Sequence, residues 1–341
     1  MAGVQDCALT LAVCSAGALG SLPCAMLSVD QLRQQLLMLQ AQSNKPYNLN
    51  FFCHTNPVAH PTQEARWLAA LAPYYADLGL DIAQVETGPG RAPFSDVVAD
   101  AVQPFAPKVV SFHFGLPNAH LLARVRGWGA KVLASATTLQ EALWLQAQGV
   151  DAVIAQGLEA GGHRGHFLSD DLSAQMGTFA LLPQLVRALQ IPVIAAGGIA
   201  DAQGVRAAMA LGASGVQVGT AYMLCVEATT SVVHRNALKS QDAHHTALTN
   251  LFTGRPARGI VNRLMRELGP LCDMAPEFPL ATAAITPLRA KAQALGRGDF
   301  SPLWAGQNVS ACREISAAAL TRALATGFAP VPADVPSRAA D

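Results

Sequence analysis

The chain has 341 residues, well above the common domain size, so two ordinary domains or one large α/β barrel would account for it. Hydrophobic residues make up 51% and charged residues 13%, which excludes a disordered chain. Lys+Arg and Asp+Glu are 23 each, and this balance lacks the basic excess of a nucleic-acid binder.

The first segment, Cys7 to Val29, carries no charge, and the only charged side chain before it is Asp6. A signal peptide needs a positive leading region. A membrane span needs an unbroken apolar run, and Ser15, Gly17, Gly20, Ser21 and Pro23 interrupt this one. It reads as a buried helix over Ala8–Ala16 and a buried strand over Leu19–Ala25. The seven cysteines (7, 14, 24, 53, 225, 272 and 312) are widely spaced, with no CxxC. That argues against a disulfide scaffold and a zinc site, and for buried free thiols in a reducing cytoplasm. No HxH, HExxH or carboxylate-rich cluster suggests a metal.

Apolar runs then alternate with helical stretches. Tyr47–Phe52 reads as a strand. Pro61–Leu78 reads as a helix with Trp67, Leu68 and Leu71 on one face. Glu86–Phe94 is turn-rich and reads as a loop. Val109–Phe114 is a strand, followed by a helix over Asn118–Trp128, and Lys131–Ser135 is the next strand. Thr138–Gln148 is a helix, with Thr138 and Glu141 spaced as a capping box. Asp151–Ala155 is a strand and Thr178–Leu189 a helix. Pro192–Ala196 is a strand, and Asp201–Leu211 is a helix with Asp201 as N-cap and Gly212 at its C-terminal end. Gly215–Val218 is the last strand of the series.

Strands alternating with helices indicate βαβ units and a parallel sheet. Their apolar character on both faces fits a sheet covered on both sides. Seven strand–helix units precede Thr220, one short of a (β/α)8 TIM barrel. A doubly wound sheet is the competing architecture, but no GxGxxG follows the first strand. After Thr220 the rhythm stops. The sequence divides into a barrel core over 1–220, a helical C-terminal part over 221–327 that covers the barrel mouth, and a Pro- and Ala-rich tail over 328–341 expected to be disordered.

In a barrel the chemistry lies at the C-terminal ends of the strands. His54 follows one strand end and His113 lies inside another strand, where a satisfied core histidine is the better reading. The unusual stretch is EAGGHRG (159–165). A glycine-flanked His163 on a strand-end loop can face a ligand, and its intrinsic pKa suits proton transfer. Glu159 and Arg164 either pair across the loop or are solvated. Gly197-Gly198 and Gly219-Thr220 follow the last two strands, where barrels bind phosphate through backbone N–H groups.

At these residues the sequence resembles the nitronate monooxygenase family, formerly called 2-nitropropane dioxygenases. The matching stretches are SAGALGSLPC (15–24), NLNFFCH (48–54), VVSFHFGLP (109–117), AQGLEAGGHRG (155–165), PVIAAGGIAD (192–201), GVQVGTAYM (215–223), TGRPARGIVNR (253–263) and LWAGQ (303–307). The resemblance implies an FMN-dependent (β/α)8 barrel acting on a small-molecule nitronate and O2, as a cytoplasmic monomer or homodimer with no nucleic-acid or membrane partner. It implies that Asn50, Gln156, Gly161, Gly198, Gln217, Val218, Gly219 and Thr220 hold FMN and that His163 is catalytic. The alternative activity is an FMN-dependent NAD(P)H oxidoreductase acting on quinones or enoyl thioesters.

The chain departs from the family pattern in two places. Family members begin with a strand ending in Ala-Pro-Met, and Met1-Ala2-Gly3 stands at that Met, so the first barrel strand is expected to be missing. An absent strand leaves its neighbours with unpaired edges and removes backbone contacts to FMN. Many members also carry a Tyr near Phe278 and a Lys near Thr286, which changes the expected substrate contacts.

Overall fold

The computed structural model describes residues 2–85 and 91–328. Most of the Glu86–Phe94 loop and nearly all of the C-terminal tail lie outside these residues. The chain opens with helix α1 (Cys7–Ser15), strand β1 (Gly20–Pro23), α2 (Val29–Gln42), β2 (Tyr47–Phe52), α3 (Pro61–Asp77) and α4 (Asp96–Val102). It continues with β3 (Val109–His113), α5 (Ala119–Gly127), β4 (Lys131–Ala136), α6 (Leu139–Ala147), β5 (Ala152–Gln156) and a two-residue strand β6 (Gly162–His163). Then come α7 (Thr178–Ala188), β7 (Val193–Ala196), α8 (Ala202–Ala210) and β8 (Gly215–Gln217).

Seven of these strands form one curled parallel sheet in the order β1-β2-β3-β4-β5-β7-β8. The order follows the chain without reversal, which is barrel topology and excludes the doubly wound alternative. Register places Leu22 beside Leu49, Phe51 beside Phe112, Gln156 beside Ala196 and Ala196 beside Gln217. Among the described residues, β1 and β8 have no ladder between them, so the sheet stays open at one seam. Seven filled strand positions and an open seam are what the sequence led one to expect. At the seam Gln5 Nε2 donates to the Ser21 carbonyl at 2.5 Å, and the Val4 carbonyl accepts from Thr229 N at 2.9 Å.

The sheet is covered on its outside. Leu49, Val110, Val132, Val153 and Val193 from the strands share one core with Leu36, Leu39, Leu121, Leu145 and Leu185 from the helices. Each is at most 4% exposed, so each contributes roughly 1.5–3 kcal/mol by leaving water. A second core joins α3 to the C-terminal part, with Trp67, Leu71 and Tyr75 packed among Leu251, Leu264, Leu288 and Phe300.

The C-terminal part adds α9 (Val232–Lys239), β9 (Thr246–Thr249), β10 (Ala257–Ile260), α10 (Arg263–Leu268), α11 (Thr282–Ala294) and α12 (Ala317–Ala325). Apart from β9 and β10 its regular elements are helices, joined by long irregular stretches. These two strands take β6 into a small antiparallel sheet of order β6-β10-β9, pairing Ala257 with His163. No helix among the described residues is long and apolar enough to cross a membrane. All seven cysteines are free, and five of them are buried.

Two local readings need correction. Thr138 does cap α6, accepting from Glu141 N, but Glu141 does not reach back to it. Its buried carboxylate accepts from Thr137 N and Oγ1 and from Phe167 N at 2.6–2.8 Å, tying down the segment after EAGGHRG. The capping box in this chain is Ser28 with Gln31. Glu159 and Arg164 do not pair either. Arg164 is fully buried and donates to Gln175 Oε1 and to the carbonyls of Gly157 and Gln156, while Glu159 accepts from Thr178 N and Oγ1.

Candidate active site

The strand ends converge on one cavity of about 690 Å³, within the range of small-ligand sites. β2 contributes Asn50 and Phe52, β3 His113, β4 Ser135, and β5 Gln156 with the loop carrying Gly161 and His163. The loop after β7 contributes Gly198, and the end of β8 contributes Gln217, Val218, Gly219 and Thr220. All nine residues singled out from the sequence therefore line the same space.

The His163 loop is held from several sides. The His163 carbonyl accepts from Gln156 Nε2 at 2.9 Å and from His113 Nε2 at 3.2 Å. Gln156 Oε1 accepts from Gly165 N at 2.7 Å, so both ends of this amide are used on the loop. Arg258, on β10, donates Nε to the Leu158 carbonyl at 2.7 Å. Gly161 is required for packing: a Cβ there would meet Gly306 N at 2.5 Å and Ala305 C at 2.6 Å.

The His163 ring sits in an aromatic box, 5.3 Å from Phe278, 5.4 Å from Trp304, 6.0 Å from Phe114 and 6.1 Å from Phe52 between ring centroids. Its Nε2 lies 2.9 Å from Thr253 Oγ1. That hydroxyl has an acceptor in the Arg255 carbonyl at 3.4 Å, so it is able to receive a proton from Nε2, and in that tautomer Nδ1 is the basic nitrogen. Burial holds the His163 pKa well below the ordinary range, reinforced by the charges of Arg91 and Arg255. The resting imidazole is neutral, and its intrinsic pKa, which suggested ready proton exchange, is overridden by the box.

His113 is neutral as well. Burial pushes it down to about 3, against the opposing effect of its bond to the His163 carbonyl. Its Nδ1 accepts from Ser135 Oγ at 3.0 Å, so it is a satisfied histidine, and the group it supports is the His163 backbone. Buried His54 donates Nε2–H to the Arg91 carbonyl at 2.9 Å.

The glycine loops fit an anion. Gly197 and Gly198 adopt positive φ of 119° and 72°, open to glycine at little cost. The N–H groups of Gly198 and Gly219 donate to no acceptor among the described residues. Thr220 Oγ1 accepts from Gly306 N at 2.9 Å, which leaves its own proton to give. Deeper in the cavity, Asn50 Nδ2 donates to Ser111 Oγ at 2.9 Å, and the buried Asn48 Oδ1 has no partner. Free N–H donors at strand ends and an unsatisfied amide oxygen elsewhere in the same cavity suit a phosphorylated, hydrogen-bonding ring system such as FMN.

Sequence reasoning passed over Arg91, Thr253, Trp304 and Asn308. Asn308 Nδ2 fixes the Gly198 carbonyl at 2.8 Å. Three of these four lie in the C-terminal part, distant in sequence from the strand ends they serve. The signal available for those three was their position in or beside the TGRPARG and LWAGQ stretches.

An open-seamed parallel barrel with its cavity at the strand ends, a half-buried neutral histidine and an anion cradle is the architecture of an α/β-barrel enzyme. The family model for nitronate monooxygenase matches residues 1–327. The chain is 40% identical over 333 residues to a nitronate monooxygenase of Paraburkholderia phytofirmans, covering 95% of this chain and 89% of the relative. It is also 40% identical over 329 residues to that of Pseudomonas aeruginosa, covering 95% and 93%. Among solved structures, nitroalkane oxidase from Streptomyces ansochromogenes aligns with a TM-score of 0.87 at 37% identity, covering 95% of this chain and 92% of that one. FabK from Thermotoga maritima aligns with a TM-score of 0.69 at 27% identity, covering 96% and 90%. The chain belongs to the nitronate monooxygenase family, a family of oxidoreductases.

Proposed function

We propose that this chain is an FMN-dependent enzyme that oxidises alkyl nitronates, such as propionate 3-nitronate, with O2 to a carbonyl compound and nitrite. The observation that carries the reading is the meeting, in one cavity, of the Gly198 and Gln217–Thr220 anion cradle with neutral His163 in its aromatic box. The names of the relatives support it.

Gly198, Gly219 and Thr220 would hold the FMN phosphate through N–H and O–H donors. Asn50, Gln156, Gly161, Gln217 and Val218 would line the remainder of the flavin. Bound FMN would supply the electron-accepting and oxygen-reducing chemistry that no side chain offers.

The protein's part is binding and proton placement. Phe52, Phe114, Phe278 and Trp304 exclude water around His163. A nitronate arriving there is an anion in a low-dielectric box, and its charge favours the imidazolium. His163 would take up a proton at Nδ1 and donate it to a nitro-group oxygen, while Thr253 keeps Nε2 occupied and the ring oriented. A base held well below its ordinary pKa is poorly matched to removing a carbon-bound proton from a neutral nitroalkane. The site therefore favours the substrate already ionised.

The experiment is nitrite release from propionate 3-nitronate by FMN-loaded protein in air, with His163→Ala alongside. Release from the wild type that collapses in the variant supports the reading. An absence of nitrite, or an unaffected variant, overturns it. Rapid anaerobic bleaching of the flavin by NADH or NADPH would instead favour the NAD(P)H oxidoreductase activity.

A further inference from the structure

Arg91 is the cation among the described residues that line the cavity, and Glu159 is the acid. Both Glu159 oxygens are engaged by Thr178 N at the start of α7, so this carboxylate is held there and not on Arg91. The Arg91 backbone is fixed by His54, and its Nη1 donates to Thr282 Oγ1 at 3.1 Å. A guanidinium has five N–H donors, and among the described residues this contact takes one of them. Its carbon lies 5.8 Å from the centre of the Phe278 ring, the ring that packs 5.3 Å from His163. Arg91 and His163 thus flank one aromatic side chain, the first offering paired donors and a permanent charge, the second a single proton site.

Burial and the neighbouring Arg289 lower the Arg91 pKa to about 10, which leaves it charged at neutral pH. Arg255 adds further positive character around the box, with its guanidinium carbon 4.3 Å from the centre of the Phe114 ring. A half-buried guanidinium at the wall of a ligand cavity is suited to bidentate recognition of a planar oxyanion.

We propose that Arg91 forms a carboxylate subsite, binding an acidic group at the far end of the substrate and selecting acidic nitronates over neutral alkyl nitronates. The inference rests on the nitronate reading above and adds the residue that sets its specificity.

The test compares propionate 3-nitronate with 1-propyl and 1-butyl nitronates, which lack the carboxylate, in wild type, Arg91→Gln and Arg91→Lys, each loaded with FMN. The wild type should favour the acidic substrate. Arg91→Gln should raise its KM by roughly ten- to a hundredfold, the worth of a charged hydrogen-bonded pair. The neutral substrates should change far less, and Arg91→Lys, which keeps the positive charge felt by His163, should recover part of the loss. Equal damage to acidic and neutral substrates would mark Arg91 as a structural tie to Thr282 or a contact to the nitro group, and would overturn the proposal. So would a wild type without preference. Nitrite from none of the substrates would overturn the nitronate reading itself, and the subsite with it.

Discussion

His113 donates Nε2–H to the backbone carbonyl of His163 at 3.2 Å, so one half-buried neutral histidine positions the backbone of another. The two arrive from different strands, and the Gln156 amide donates to the same carbonyl. His113→Ala would remove one donor from that carbonyl and leave Ser135 Oγ without its acceptor. The expected cost is about 1–3 kcal/mol of stability. A fall in kcat/KM of roughly tenfold or more should accompany it, because small displacements of a positioned group are costly. Denaturant unfolding and nitronate kinetics on the same preparation would check both, and an unchanged kcat/KM would detach His113 from the site.

Stability should fall in mild acid. Burial holds His113 at about 3 and His166 and His234 at about 4, against an ordinary value of 6.5. Between those values the unfolded chain binds protons that the folded chain refuses. Stability is therefore complete above about pH 6.5 and declines as pH falls toward 4, by up to ~1.4 kcal/mol per pH unit for each such histidine. Urea unfolding from pH 7 to 4.5 measures the slope. His234→Gln, which can still donate to the Trp304 carbonyl, should make the slope shallower by about one proton. A stability that is flat or rises over this window would contradict the neutral assignment.

The barrel rhythm was legible because runs such as Val109–His113 and Ala152–Gln156 are buried on both faces, and such strands read as continuous apolar stretches. The glycine loops and His163 were legible because they follow those runs directly. The small sheet was not. β6 has two residues, and β10 reads Ala-Arg-Gly-Ile, where a buried Arg258 is satisfied by a carbonyl far away in sequence. Glu141 and Arg164 were misassigned for a related reason. Local spacing offers each a nearby partner, yet both are saturated by backbone groups that only the folded loop supplies. The aromatic box was hidden because Phe278 and Trp304 come from the C-terminal part, more than a hundred residues from His163.

Adjacent glycines in the His163 loop should differ in their tolerance of a methyl group. Gly161→Ala would drive its Cβ into the Gly306 and Ala305 backbone, whereas Gly162→Ala meets nothing within 4 Å and bears only the strain of φ +74°. The first should cost roughly 1–3 kcal/mol by overpacking, together with loss of flavin as the loop shifts. The second should cost about 1–2 kcal/mol of left-handed strain with flavin retained. Melting temperature and flavin absorbance of the two purified variants separate the cases. Equal flavin content in both would show that the Gly161–Gly306 contact does not shape the cradle.

Thr220 offers a direct test of the anion cradle. Its hydroxyl oxygen accepts from Gly306 N, so the hydroxyl proton points to another acceptor, and the unbonded N–H of Gly219 lies one residue away. Thr220→Val keeps the shape, strands the Gly306 N–H and deletes a donor. Titration of apoprotein with FMN, followed by quenching of flavin fluorescence, should show affinity weakened by roughly tenfold, equivalent to one hydrogen bond of about 1.4 kcal/mol. Thr220→Ser should bind as the wild type does, because serine retains both the acceptor and the donor. If valine binds FMN as tightly as threonine, the phosphate is held elsewhere and the cradle assigned to the β8 loop is wrong.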